Sequence, residues 1–226
     1  MARRTTPKRD AMRSRERILA AALREFSDHG FAGARVDRIA RRARINKRML
    51  YSYFGAKSDL YRQVMRRRFA LRAAQLDHAP YSTPEDSTVF WFRFGCSDQV
   101  WVRLLEWEAL DPKASRMIAR SQRERSYDRA VGQFIAFQQR GLLPADLNPR
   151  FLLLWNMALT TFPLAFPQLT RLVSGVSPRD KRFQARWTAF LRSIMGRLRP
   201  DRRSARIAIK DAGKAWRAAS GAGANA

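Results

Sequence analysis

The sequence predicts an all-α protein, with an N-terminal three-helix helix-turn-helix domain followed by a larger C-terminal helical domain. Three observations carry this. Apolar residues recur at i, i+3, i+4 and i+7 in several windows, which gives a helix one buried face. No window alternates at period two long enough to make a strand. Residues 36–54, VDRIARRARINKRMLYSYF, read as two short helices joined by a tight turn, the layout that lays a second helix in a DNA major groove.

The elements follow in order. Residues 1–12 are polar and basic, contain Pro7, and read as a flexible arm. Over 14–29, Ile18, Ala22 and Phe26 form one i, i+4 row and Leu19 and Leu23 a second, with Gly30 as the stop. Val36, Ile39, Ala40 and Ala43 form the inner face of the next helix, and Asp37, Arg38, Arg41 and Arg42 take its other positions. Asn46 suits an N-cap, because its side chain can accept a bond from a free backbone N–H. Ile45 before it can staple onto Leu50. Leu50 and Phe54 then face inward. Arg48 and Ser52 face outward, flanked by Met49 and Tyr51. Lys47 stands in the first turn, where free N–H groups attract phosphate. Such side chains touch bases and phosphates, although a helical hairpin with a solvated basic face would read the same way. A fourth helix is expected over Lys57–Phe69, with Leu60, Tyr61, Val64 and Met65 inward.

Residues 76–87 hold two prolines and read as a break. Helices are expected over 86–95, 98–110, 113–140, 149–162 and 179–198. Residues 151–170 form a 20-residue uncharged run, long enough to span a membrane. Asn156, Thr160, Thr161, Pro163, Pro167 and Gln168 instead point to a buried helix ending near Pro163, and no membrane partner is expected. Residues 199–226 read as a basic disordered tail, with a short helix at 205–217.

Charge narrows the function classes. Lys and Arg number 45 against 19 Asp and Glu, a net charge of +26. Residues 1–68 hold 20 of those bases and only 6 of the acids. Excess charge in the segment bearing the motif favours a polyanionic partner. Cys96 is the single cysteine, so no disulfide can form within the chain. That fits a reducing compartment. With no apolar stretch of a secretion signal near the N-terminus, a cytoplasmic protein is expected. Cys96 reads first as a small buried residue. His29 and His78 lie far apart, and the acids Asp86, Glu106 and Glu108 have no partner set. No phosphate-binding loop, nucleophile elbow or metal-ligand spacing occurs. Neither an enzyme nor a cofactor or metal is expected.

Together, RILAAALREFSDHGFAGARVDRIARRARINKRMLYSYFGAKSDLYRQVM closely resembles the DNA-binding domain of the TetR (tetracycline-repressor) family. The matching features are Ile18-x-x-Ala21-Ala22-x-x-x-Phe26, Gly30-Phe31, Val36-x-x-Ile39-Ala40-x-x-Ala43 and Leu50-Tyr51-x-Tyr53-Phe54, with Lys57 and Leu60. Two positions depart from the pattern. Arg44 stands where the family's turn carries Gly, so it must take a strained backbone or the turn must differ. Ala56 stands where a capping residue is usual, which weakens the start of the fourth helix.

The resemblance implies base contacts from Lys47, Arg48, Met49 and Ser52, and phosphate contacts from Arg35, Tyr51, Tyr53 and Lys57. It implies a DNA-binding domain over 13–58 and an effector-binding and dimerisation domain over 59–198. Its ligand cavity would be lined by Trp91, Phe94, Trp101, Trp107, Phe134, Phe137, Trp155 and Phe162. The dimer interface would draw on Leu152, Trp155, Met157, Leu159, Phe183, Trp187, Phe190, Leu191 and Ile194. The implied function is sequence-specific transcriptional regulation by a ligand-released homodimeric repressor. Its partners would be a pseudo-palindromic double-stranded operator and a small apolar effector. A sequence-independent nucleoid-type binder and an activator of the same fold are the alternatives.

Overall fold

The computed structural model describes residues 7–77, 81–111 and 117–200, and side chains from Asp10 onward. Ten helices run through them, and no strand occurs among the described residues. The chain divides into two units, one of residues 1–75 with 98–123, the other of 76–97 with 124–226. The expected boundary at residue 58 falls inside the first unit, whose core also takes in Trp101 and Leu104.

In the first unit α1 (Pro7–Gly33) starts earlier than the sequence suggests. Pro7 lies in the first turn, where a missing N–H costs nothing. Residues 7–12 are therefore helix rather than arm, and 1–6 lie outside the described residues. α1 bends at Gly30, whose φ of 64° lies in the left-handed region that glycine enters freely. A Cβ there would come within 2.7 Å of Trp107 Cε3. The Trp107 indole N–H also donates to the Ser27 carbonyl at 3.1 Å. The indole therefore fills the space that the missing Cβ leaves at the bend.

α2 (Val36–Ala43), α3 (Lys47–Phe54) and α4 (Lys57–Asp77) close the unit's core with α6 (Gln99–Ala109). Ile18, Phe26, Ile39, Leu50, Leu60 and Met65 are fully buried there. The fourth helix runs eight residues past the expected Phe69. Tertiary packing explains the length: Trp101 meets the Phe69 ring edge-on at 4.8 Å, and Arg72 lies 4.9 Å over Trp101. Arg123 lies 4.0 Å over Phe69 while pairing with both oxygens of Glu108 at 2.8 and 2.9 Å.

The second unit holds α5 (Pro84–Ser97), α7 (Arg120–Gln139, from Glu124), α8 (Pro149–Ala165), α9 (Pro167–Ser174) and α10 (Lys181–Arg197). α5 packs on α8 and α10. Asn148 caps α8 by accepting from the Arg150 and Phe151 N–H groups. The helix was expected to end near Pro163 and runs two residues past it, to Ala165. A proline removes the hydrogen bond to the carbonyl four residues back, here that of Leu159. The Trp187 indole N–H takes that carbonyl at 3.2 Å, so the helix passes its proline with the acceptor satisfied. Trp187→Phe keeps an aromatic ring on Phe183 and Phe190 but loses the bond and part of the packed volume. It should lower stability by about 1–3 kcal/mol, read as a lower urea midpoint. An unchanged midpoint would show that water replaces the indole freely.

α9 was not expected. Its signals are nonetheless present, with Pro167 in the first turn and Gly175 at φ 73° as the left-handed stop. The expected helix over 113–140 begins at Arg120, and 112–116 lie outside the described residues. The helix expected at 205–217 also lies outside them. None of the described helices is long and apolar enough to cross a membrane.

Candidate nucleic-acid interface

α2 ends and α3 begins within three residues. Arg44 adopts φ 54°, ψ 50°, the left-handed conformation. The Ile45 N–H reaches the Ala40 carbonyl and the Arg44 N–H reaches that of Arg41, both at 3.1 Å. These two bonds close the helix end that glycine usually closes. A non-glycine residue in this region costs roughly 1–2 kcal/mol. Arg44→Gly should therefore raise the thermal midpoint, by about 1 kcal/mol of stability. A lower midpoint would mean that the arginine side chain stabilises the turn. Asn46 then caps α3, its Oδ1 accepting from the Met49 N–H at 2.7 Å, as the sequence indicated.

Leu50 and Phe54 anchor α3 inward, and Lys47, Arg48, Met49, Tyr51 and Ser52 are exposed along its outer side. Tyr53 is half-buried and packs against the first unit's core. Lys47 pairs with Asp37 of α2 at 3.0 Å across two exposed side chains. The hydrogen bond and charge of Asp37 raise the lysine pKa. Such a pair exchanges readily for phosphate.

The start of α2 depends on a residue that the motif did not single out. Arg35 occupies the N-cap position, but its side chain makes no cap bond. Glu25 of α1, 1% exposed, supplies the acceptor instead. Its Oε1 takes the Arg35 N–H at 2.9 Å and Arg38 Nε at 2.6 Å. Burial alone would raise the Glu25 carboxyl pKa, but the Arg35 N–H and Arg38 outweigh it and the pKa falls below its ordinary value. With its backbone engaged, Arg35 leaves an exposed guanidinium at the helix start. The sequence signal for Glu25 is an acid beside the core residue Phe26, ten residues ahead of a helix with no capping side chain.

Lys57 is half-buried. Its ammonium lies 4.8 Å over the Phe31 ring and 3.4 Å from the Ala32 carbonyl, and burial lowers its pKa. It ties the start of α4 to the end of α1, which the resemblance did not anticipate.

The remaining candidate residues scatter. Trp101 and Trp107 sit in the first unit, on Phe69 and Gly30 respectively. The other six belong to the second unit, but they do not line one cavity. Phe134 and Phe137 are buried with Trp155 packed against their cluster. Trp91 and Phe94 stand together on α5, their rings 5.9 Å apart. Phe162 is exposed on α8. Among the candidate interface residues, Leu152, Phe183 and Leu191 are buried in the subunit's own core, with Leu159 and Trp187 packed alongside. Trp155, Met157 and Ile194 are half-buried, and only Phe190 is exposed. Cys96 is half-buried, and burial pushes its thiol pKa up, which disfavours the reactive thiolate.

A capped, basic-faced second helix set across a closed turn from a positioned first helix defines a helix-turn-helix DNA-binding protein. Residues 18–64 match the bacterial regulatory proteins of the tetR family, and 86–197 match a tetracyclin repressor-like C-terminal domain. The chain is 30% identical over 171 residues to the HTH-type transcriptional repressor SCO4008 of Streptomyces coelicolor, covering 74% of this chain and 86% of that one. Among solved structures, the transcriptional regulator SCO4942 from Streptomyces coelicolor aligns with a TM-score of 0.63 at 26% identity, over 80% of this chain and 97% of that one. FadR from Bacillus subtilis, solved in complex with stearoyl-CoA, aligns with a TM-score of 0.61 at 14% identity, over 79% and 98%. The chain belongs to the TetR family of DNA-binding transcriptional regulators.

Proposed function

We propose that the protein is a homodimeric, ligand-released repressor, with one α3 from each copy entering successive major grooves of a pseudo-palindromic operator. The bare outer side of α3 carries this reading. In this reading Lys47, Arg48, Met49 and Ser52 would contact base edges, and Arg35 and Tyr51 phosphates; Tyr53 and Lys57, half-buried on the core and on Phe31, would reach phosphate only from the edge of the face. The protein would act in the cytoplasm, where its DNA lies.

A face of the second unit supports the dimer. Phe151, Leu154 and Phe162 share one side of α8, and Leu169, Leu172 and Val173 of α9 are also exposed. An apolar face this rich is unusual on a monomer, and a second copy of the chain is its proposed occupant. The dense aromatic side chains of the second unit, among them Phe90, Trp91, Phe94 and Trp155, support a largely apolar effector. To relieve repression, the effector must bind the state unfit for DNA better than the competent one.

Selection of bound sequences from a random duplex pool, at near-physiological salt, tests the proposal. A two-fold symmetric motif is the expected recovery. The net charge of +26 favours the nucleoid-type alternative, which predicts tight binding with no motif. On the recovered operator, Arg48→Ala should cost about 1–3 kcal/mol, the value of a bidentate base contact, with random DNA little affected. An equal loss on both would reassign Arg48 to phosphate.

A further inference from the structure

A groove of about 410 Å³ runs along α5 in the second unit, against α10 and the loop that leads into α5. That volume lies within the range of small-molecule sites. Asp86, Phe90, Arg93 and Phe94 line it from α5, Tyr81 from the loop and Arg192 from α10. The α5 positions fall at i, i+4, i+7 and i+8, so one helix face supplies both the floor and the rim.

The floor is aromatic and held in place. The Phe90 and Phe94 rings lie 6.2 Å apart and within 12° of parallel, and Tyr81 tilts against Phe90 at 5.5 Å. The Tyr81 hydroxyl donates to Gln133 Oε1 at 2.9 Å and accepts from the Trp91 indole N–H at 3.2 Å. Both bonds orient the ring before any ligand arrives, which lowers the ordering cost of binding.

The rim is charged unevenly. Asp86 is engaged on both oxygens, by Arg192 at 2.9 Å and by the Thr83 hydroxyl at 2.9 Å. Arg93 is exposed and meets neither an acid nor a hydrogen-bond acceptor among the described residues. The neutralised pair contributes no net charge, so the groove presents one available guanidinium beside Phe94 and about one turn from Phe90. A guanidinium binds a carboxylate with charge-assisted, geometrically matched bonds.

We propose that this groove binds an amphipathic organic anion, with a flat apolar body on Tyr81, Phe90 and Phe94 and its carboxylate on Arg93. The assignment rests on the ligand-released reading above and names the effector's chemistry. It differs from a purely apolar effector in requiring the negative group.

The test is calorimetric titration of the full chain with 2-naphthoate, the neutral 2-naphthamide and the cationic 2-naphthylmethylammonium. Arg93→Gln, an exposed substitution, is titrated in parallel once its thermal unfolding matches the wild type. Naphthoate should bind roughly tenfold or more tightly than naphthamide, and the difference should vanish in Arg93→Gln. Equal binding of acid and amide, a preference that survives in the variant, tightest binding of the ammonium, or no binding by all three would each overturn the proposal. Operator binding measured in the same titrations separates the two levels. If naphthoate binds through Arg93 but leaves operator affinity unchanged, the groove stands and ligand release through it falls. If a compound outside this class releases operator from the wild type and Arg93→Gln alike, ligand release stands and the groove is not the effector site.

Discussion

Charging the apolar face of α9 should split the proposed dimer into monomers and cost at least about a hundredfold in operator affinity. The variant is Leu172→Asp with Val173→Asp. These side chains are 80% and 90% exposed in the isolated subunit, so neither substitution disturbs a subunit's own packing. In a dimer both carboxylates would enter an apolar contact without partners, which is strongly unfavourable. A single α3 then binds a half-site, without the gain from linking two. Sedimentation equilibrium reads the assembly and fluorescence anisotropy the affinity. A variant that stays dimeric with wild-type operator binding would move the interface elsewhere. Weak binding by a variant that no longer folds is excluded by comparing unfolding midpoints.

Replacement of Glu25 by Ala should strongly damage the DNA-binding unit although it leaves the apolar core intact. It removes the acceptor for the Arg35 N–H and the partner of Arg38 in one step. The expected cost is about 2–3 kcal/mol, the range for hydrogen bonds to a charged group, with a matching fall in DNA binding. Acid titration offers a second readout. The folded carboxyl pKa lies below the ordinary 4.5, so the unfolded chain takes up its proton first as pH falls. The stabilisation is therefore complete above pH 4.5 and is lost below it, as pH drops through the folded pKa. Glu25→Gln should be less stable at neutral pH and should lack this component of the acid slope. If the wild type and Glu25→Gln lose stability in parallel below pH 4.5, the carboxylate contributes nothing in its charged form.

The helix-turn-helix was legible because its determinants are local. The row Val36, Ile39, Ala40, Ala43 and the cap Asn46 act within one or two turns, and Arg44 announced its backbone strain by standing where glycine is usual. The start of α2 was not legible, since its acceptor Glu25 comes from another helix. The course of α8 past Pro163 likewise depends on Trp187, 24 residues onward. Apolar periodicity finds a helix's rows but does not say what covers them. The row Phe183, Trp187, Leu191 was assigned to a partner subunit, yet Phe183 and Leu191 are buried in the subunit itself. For the same reason Trp101 and Trp107 were placed with the other aromatics, when their neighbours are Phe69 and Gly30. Arg93 carried no signal at all, because its meaning comes from the pairing of Asp86 with Arg192.

Trp107 and Gly30 have a consequence for how this sequence can change over time. An alanine at position 30 would meet the indole, while a smaller residue at 107 would open space and still leave a bend that disfavours every side chain. Neither replacement is neutral alone, and the second relieves the clash of the first but not its backbone strain. The two positions form an epistatic pair in which the glycine is the senior member. Related chains that keep the bend should vary at 107 while retaining glycine at 30, and substitutions at 30 should accompany a different course of α1.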